Sequence, residues 1–322
     1  MLTMRPEEWL RFVRSEYLQS FIREGGASIK FCVPLCEAER NALCHGVRDA
    51  ATGLDYRFAE VDAARTKVQL PDQIFFRVAA QIDWQALARR VLADLCRHEN
   101  FVPPERSDLP FHQAVAERNA IAPDPVLMLL RKSLTDHVLH RSELARDFRI
   151  AMFNLCHALL TGAPDGTQAV GALTDWLTGQ NHNVSAVKDY NIFNRITRNN
   201  ARHFIESLFR WVRFAEYPGT VMLIDITRLA LGKNPRDELH FYSAAALLDA
   251  YEVLREFVDS TDRLAGCLLV VVADPSFLDE DAWGRGMGRY QALKFRIYDE
   301  VHDQRRVNPM GSLVRLSMSR EG

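Results

Sequence analysis

The sequence lacks any long hydrophobic run. Its longest is Cys267–Ala273, and a helix of that length cannot cross the roughly 30 Å hydrocarbon core of a bilayer. The segment Met1–Trp9 also lacks the apolar stretch of a secretory signal peptide. We therefore expect a cytoplasmic protein with no membrane partner.

Neither sign of charge is in excess. The sequence has 40 Lys and Arg against 42 Asp and Glu, which excludes a globally basic nucleic-acid coat but leaves local basic patches open. Six cysteines in 322 residues are typical of a reduced intracellular protein. Because 48% of the residues are hydrophobic, the composition also excludes a disordered chain.

Short β-prone segments alternate with helical periodicity at both ends of the chain. The predicted strands span residues 27–33, 56–61, 220–225, 267–273 and 313–318. The predicted helices beside them span 6–24, 37–51, 241–260 and 289–303. This alternation predicts an α/β fold, with a mostly parallel sheet and helices on both faces. Because residues 72–213 are almost entirely helical in pattern, we expect one domain over 1–322 with a large helical insertion.

The connection after the first predicted strand lies where an α/β sheet binds ligands. The P-loop pattern G-x-x-x-x-G-K-[ST], laid on residues 34–41, puts Pro34 and Glu39 on the two glycines. Arg40 then falls on the lysine, and Asn41 falls on the hydroxyl residue. Glycines let backbone N–H groups wrap phosphates, whereas Pro34 lacks that donor and Glu39 places a carboxylate where a phosphate would lie. The strand–loop–helix order is that of a P-loop, but the residue types at the motif positions are not.

The strand over 220–225 ends in Asp225, where P-loop ATPases carry an acid that helps to hold Mg²⁺. Ile226 follows, in the place of the glutamate that orients the attacking water. The strand over 267–273 is also followed by an acid, Asp274. The architecture of a nucleotide site is therefore present without its catalytic group.

Several further segments, taken in order, are similar to successive parts of one known family. They are Glu16–Phe31, Trp176–Gly179, Ile196–Arg202, Tyr217–Gly219, Tyr251–Asp259, Ala273–Phe277, Tyr290–Arg296, Asn308–Pro309 and Leu313–Leu316. The ordered set resembles BrxD-like ATPases, which are associated with BREX phage-defence systems and related helicase-linked gene clusters. The resemblance covers most of the chain and implies an AAA-type P-loop fold.

The resemblance also implies roles for individual residues. Asp225 would be the relic Walker B acid, and Asp274 would take a sensor-like position. Arg296 matches a finger-like arginine that could reach the nucleotide of a neighbouring subunit, and Arg40 with Asn41 would be the relic of the phosphate loop. The replaced phosphate loop, together with Ile226 in place of the Walker B glutamate, favours a member that has lost ATP hydrolysis.

Two other patterns in the sequence have simpler interpretations. Cys32, Cys36, Cys44 and His45 have a spacing that zinc could use, but a cysteine inside a buried strand favours core thiols, so we expect no metal site. Residues 284–306 carry a local excess of basic side chains. The candidate nucleic-acid face is Arg285, Arg289, Lys294, Arg305 and Arg306. Such an excess is commonly a solvated surface.

The leading hypothesis is a catalytically inactive AAA-type subunit that serves as a protein-interaction platform in an anti-phage or DNA-processing complex. Its expected partners are an intact ATPase, a helicase or a nuclease of the same system, within a homo- or hetero-oligomer. No cofactor is expected. One alternative is an ATP- or ADP-binding, weakly active ATPase with a non-standard phosphate loop and Mg²⁺. Another is a module that binds DNA directly.

Overall fold

The computed structural model describes residues 3–105, 109–162, 166–181, 183–298 and 308–318. The chain divides into two compact units, of which the first combines Met1–Val78 with Tyr217–Gly322 and the second is Ala79–Glu216. We call them the sheet unit and the helical unit. The sequence-based assignment of one domain with an insertion at 72–213 stays a prediction.

The described residues of the sheet unit form a five-stranded, all-parallel sheet. Its strands are β1 (Ala27–Pro34), β2 (Arg57–Asp62), β3 (Thr220–Asp225), β4 (Cys267–Val272) and β5 (Leu313–Leu316). The strand order is β2-β3-β4-β1-β5. Each predicted strand is confirmed to within two residues at either end. The order places β1, β4 and β3 side by side, so the residues that follow these strands meet at one edge.

The helices follow the predicted periodicity, with some differences in length. The α-helices are α1 (Pro6–Phe12), α2 (Glu37–Thr52), α3 (Pro71–Ala79), α4 (Trp84–His98), α5 (Phe111–Arg118), α6 (Pro123–Leu134), α7 (Arg146–Thr161), α8 (Gly166–Thr178), α9 (Ala201–Phe214), α10 (Ala244–Asp259) and α11 (Gln291–Ile297). The helix predicted over 6–24 continues from α1 as a π-helix over Val13–Phe21. The helix predicted over 289–303 ends at Ile297, and residues 299–307 lie outside the described part of the chain.

The sheet is buried on both faces. On one face, Trp9 of α1 and Leu43 of α2 join a core that includes Cys32 of β1 and Val270 of β4. The neighbouring residue of β1, Phe31, points to the opposite face. There its ring stacks on Phe277 with 5.9 Å between centroids, and Phe277 in turn meets Tyr251 of α10 at 5.7 Å. Burial on both faces explains why β4 reads Cys-Leu-Leu-Val-Val-Val without alternation. The expected α/β fold, consistent with a P-loop ATPase-like domain, is confirmed.

The helical unit has its own aromatic core. Phe148 of α7 contacts Trp84 of α4 and Phe204 of α9, with ring centroids 6.1 and 6.0 Å apart. Trp176 of α8 meets the same Phe204 at 5.7 Å. Within the described residues of the whole chain, no helix is both long enough and apolar enough to cross a membrane.

Gly219 sets the start of β3, and we expect its replacement to be costly. Its φ is +152°, and a Cβ added there would lie 2.1 Å from the carbonyl oxygen of Gly266. That same oxygen accepts the Thr220 N–H at 2.9 Å, so it cannot move without loss of the bond. Gly219→Ala should lower the free energy of unfolding by about 3 kcal/mol in urea denaturation.

The matched control is Gly232→Ala, because a Cβ at Gly232 meets nothing within 4 Å. We expect a change of no more than about 0.5 kcal/mol for this variant. Equal stabilities of the two variants would contradict the role given to Gly219.

Candidate functional site

A cleft opens at the carboxyl edge of the sheet, where three connections meet. It has a volume of about 440 Å³ and is lined by residues 34–37 and Arg40 at and after the end of β1, by Thr227 after β3, and by residues 273–275 after β4. The backbone fixes this arrangement, because Ala273 donates its N–H to Cys32 O at 3.0 Å and Ile226 donates to Val272 O at 2.8 Å. The cleft therefore occupies the position at which an α/β sheet binds ligands.

The connection between β1 and α2 is very short. Strand β1 runs to Pro34 and α2 begins at Glu37, so that only Leu35 and Cys36 lie between them. The position of the second P-loop glycine, Glu39, is already inside the helix, and Arg40 follows it there. Two residues cannot wrap a phosphate group with a series of backbone N–H donors.

The Glu39 carboxylate takes the N–H groups that this short connection does offer. Oε2 accepts the N–H of Leu35 at 2.9 Å and that of Cys36 at 3.1 Å, although Leu35 also donates to Leu316 O at 3.1 Å. Oε1 accepts the N–H of Met318, just after β5, at 2.6 Å. The Glu39 side chain is buried, and burial alone would raise its pKa; these N–H donors more than offset that effect and hold the pKa below its ordinary value. The anion that these three N–H groups bind is therefore the Glu39 carboxylate itself.

Asp225 and Arg40 come together on the other side of the cleft. Asp225 Oδ1 accepts the backbone N–H of Thr227 at 2.9 Å and its hydroxyl at 2.6 Å. Arg40 Nη1 donates to Thr227 Oγ1 at 3.1 Å and lies 3.9 Å from Asp225 Oδ2. Burial raises the pKa of Asp225, while the Thr227 hydrogen bonds and the Arg40 charge oppose that rise. A guanidinium therefore lies beside this carboxylate, where a P-loop ATPase would hold Mg²⁺.

The remaining sequence-predicted positions have structural partners. Ile226 is 2% exposed, so it packs in the protein interior. Asp274 Oδ1 accepts the N–H and the hydroxyl of Ser276, at 2.9 and 2.7 Å, and so caps the short helix Pro275–Leu278. Asn41 is exposed on α2 and does not line the cleft. Arg296, on α11, pairs with Asp259 Oδ1 at 3.0 Å.

A family model described as the BREX system ATP-binding protein BrxC/D matches residues 113–321, which is more than half of the chain. The chain belongs to the BREX system ATP-binding protein BrxC/D family. No curated protein and no solved structure matches it. The match includes β3 with Asp225, β4 and β5, whereas β1, α2 and the connection between them lie outside it. The resemblance of the sequence to this BREX family is thereby confirmed.

The BrxC/D description makes ATP with Mg²⁺ the ligand against which the cleft must be tested. The N–H groups of Leu35 and Cys36 are bonded to Glu39, and the guanidinium of Arg40 is bonded to Thr227. A triphosphate would also face the carboxylates of Glu37 and Asp274 at the cleft wall. The residues present in this cleft do not fit a nucleotide held in the P-loop manner.

The basic residues assigned to a nucleic-acid face in this BrxC/D-family chain are turned toward the protein where the structure describes them. Arg285 donates to Leu229 O at 2.7 Å and to Tyr242 O at 2.8 Å. Arg289 Nη1 donates to Trp283 O at 2.9 Å, and Lys294 pairs with Glu280 at 3.2 Å. Arg305 and Arg306 lie outside the described residues. Nucleic-acid contact by this set stays a prediction.

No group of three or more His, Cys, Asp or Glu in the described part of the chain is placed to hold a metal ion. Of the cysteines weighed as zinc ligands, Cys32 is buried, Cys44 is half-buried and Cys36 is exposed. Burial raises the pKa of the Cys44 thiol to about 12, which disfavours the thiolate that zinc requires. The interpretation as core thiols therefore fits Cys32 and Cys44.

Sequence reasoning recognised that Glu39 puts a charge at the phosphate position but missed its bonds to the backbone. The signal for them is a glutamate three residues after the residue that caps a helix, because such a side chain reaches back to the N–H of the cap. Cys36 and Glu39 have this spacing. The bond from Glu39 to Met318 has no local signal, because the two residues meet only in the folded sheet.

Glu39→Gln should destabilise the protein, because the neutral amide cannot replace a carboxylate that accepts three N–H donors. We expect a loss of about 2 kcal/mol in the free energy of unfolding at pH 7, measured in urea. Since folding lowers the pKa of Glu39, its contribution is present above the unfolded value of about 4.3 and is lost as the pH falls through the folded value. The difference between wild type and variant should therefore shrink below about pH 4.

Glu37→Gln is the control for this prediction. Glu37 lies in the same first turn of α2, but its side chain is 79% exposed. We expect a change below about 0.5 kcal/mol for this exposed side chain. A loss that is the same for both variants would rule out a special role for the Glu39 carboxylate.

Proposed function

We propose that this BREX-family chain is a non-hydrolysing AAA-type subunit that acts through contacts with other proteins of the defence system. The observation that carries the proposal is the two-residue connection between β1 and α2, whose N–H groups are bonded to Glu39. A connection in this state offers phosphate no cradle of backbone N–H groups. The family description names ATP binding. We propose the loss of hydrolysis for this chain alone and not for other members of the family.

The second half of the site supports the same conclusion. Hydrolysis needs a polar group that orients water in line with the γ-phosphate. The position that would supply it is Ile226, an apolar side chain that is 2% exposed. Asp225 remains, but its Oδ1 is bonded to Thr227 and its Oδ2 faces Arg40. No polar side chain replaces the missing group at this position.

The sheet itself keeps the order and the burial of a P-loop ATPase-like domain. A domain of this kind that does not turn over nucleotide can still pack against other subunits. We therefore propose that it joins a hetero-oligomer in which an ATPase, helicase or nuclease of the same system performs the chemistry. Direct DNA binding is not favoured, because the described candidate arginines are bonded to backbone carbonyls.

Saturating ATP with Mg²⁺ should leave the thermal unfolding midpoint of the pure protein unchanged, and phosphate release should match the buffer background. A ligand at about 100 times its dissociation constant would stabilise the folded state by about 2.7 kcal/mol, which is easily seen as a shift of the midpoint. The Asp225→Ala and Arg40→Ala variants should give the same two results as the wild type.

Two outcomes would contradict this proposal. One is ATP turnover that Asp225→Ala abolishes, since that would make Asp225 part of a working site. The other is stabilisation by ATP or ADP that Arg40→Ala removes, which would support an ATP-binding subunit with a non-standard loop. A nucleotide effect that both variants retain would place binding elsewhere on the chain.

A further inference from the structure

Trp283 is far more exposed than any other tryptophan in the chain. Its side chain is 87% exposed, whereas Trp9, Trp84, Trp176 and Trp211 are at most 4% exposed. All five tryptophans of the sequence lie in the described residues. Exposure of a whole indole to water is unfavourable and is unusual for this residue type. Trp283 therefore calls for an explanation other than packing within this chain.

The loop that carries Trp283 is held in one conformation by bonds on both of its sides. The guanidinium of Arg285 donates to the carbonyls of Leu229 and Tyr242, and the Arg285 carbonyl accepts the Tyr251 hydroxyl at 2.6 Å. Before the tryptophan, the Trp283 N–H is bonded to Asp281 Oδ1 at 2.9 Å. The indole is thus presented by an ordered backbone.

Gly288 closes this loop against its own first residues. Its N–H donates to Asp279 O at 3.0 Å, and a Cβ at this position would lie 2.2 Å from the backbone of Glu280. Arg289 reaches back across the loop to the Trp283 carbonyl at 2.9 Å. The glycine-rich run 284–288 therefore serves close backbone packing.

The charges of the loop are separated by sign. Arg285 and Arg289 direct their guanidinium groups to carbonyls of the protein. Asp279, Glu280 and Asp281 are exposed, and only Ala282 separates them from Trp283 in the chain. Lys294 offsets part of this charge through its pair with Glu280. Three exposed carboxylates therefore come just before the indole in the chain, while the arginine side chains of the segment are bonded to carbonyls.

We infer that residues 279–283 are a docking surface for a lysine- or arginine-rich segment of a partner protein, with the Trp283 indole entering an apolar pocket of that partner. The inference rests on the proposed interaction role and names the surface that performs it. Tryptophan is enriched among the residues that dominate binding energy. A preordered loop loses little conformational entropy on binding. Acidic residues beside the indole select a basic partner and accelerate its approach.

The test measures binding of this full chain to the other proteins of the same BREX system, each purified singly, at about 0.15 M salt. Trp283 is the one strongly exposed indole among the five, so a bound partner should protect the intrinsic fluorescence from quenching by acrylamide. Trp283→Ala should weaken binding of a basic-surfaced partner at least 30-fold, as expected for a residue that dominates the interface. The double variant Asp279→Asn with Glu280→Gln should slow association and reduce its dependence on salt.

Phe193→Ala is the matched control, because Phe193 is also an exposed aromatic residue, at 55%, but lies in the helical unit. It should leave binding within about twofold of the wild type. Circular dichroism should show that Trp283→Ala remains folded, since the replaced side chain is almost wholly in solvent.

Three results would overturn the inference. If a BREX protein binds and Trp283→Ala does not weaken it, the surface is wrong while the proposed interaction role stands. If no protein of the system binds the wild-type chain, that role fails and the surface fails with it. If Trp283→Ala instead abolishes self-association or the binding of duplex DNA, the occupant is a second copy or a nucleic acid and not a basic protein segment.

Discussion

The three hydrogen bonds of the Glu39 carboxylate determine how the carboxyl edge of the sheet is built. They join the first turn of α2, the connection after β1 and the backbone just after β5. A buried carboxylate is tolerable only when its oxygens accept such donors. Because Glu39 provides the anion, the N–H groups of Leu35 and Cys36 need no bound phosphate. The connection can then be only two residues long.

The other carboxylates at this edge, Asp225 and Asp274, also have hydrogen-bond or ion-pair partners within the chain. Asp225 is partly neutralised by Arg40 and hydrogen-bonded by Thr227, and Asp274 is bonded to Ser276. In a working ATPase, comparable groups remain available for the metal ion and for water. Here the two carboxylates are bonded to residues two positions further along the chain, Thr227 and Ser276, and Asp225 also faces Arg40 of the adjacent helix α2. These bonds stabilise the carboxyl edge of the sheet, and a ligand that used the same groups would have to replace them.

Much of the fold could be predicted from the sequence, because buried parallel strands leave a strong local signal. The apolar runs at 220–225 and 267–272 are typical of buried parallel strands, and the acids Asp225 and Asp274 at or just after their ends mark the carboxyl edge. The length of the β1–α2 connection could not be predicted in this way. An alignment to the P-loop pattern counts residues, but it does not say where the helix begins. That boundary depends on Glu39 and on Met318, which lies far along the chain.

The direction in which the charged side chains point could not be predicted from the sequence either. A count of charges over 284–306 shows an excess of basic residues, but Arg285 satisfies the carbonyls of Leu229 and Tyr242, which come from distant parts of the chain. The glycines at 286 and 288 are the local sign that this segment packs closely and is not a mobile loop. A sequence can thus reveal that backbones approach each other without revealing which charges turn inward as a result.

The segment after β4 links the cleft to the exposed loop that carries Trp283. Asp274, to which the family resemblance assigns a sensor-like position, caps the helix Pro275–Leu278 with its carboxylate. The chain then runs directly into the exposed residues 279–283, and the Gly288–Asp279 bond closes the loop behind them. Asp274 therefore helps to position the outward face of the loop. Under the proposed interaction role, this capped segment would hold Trp283 and the acidic residues in place for another protein.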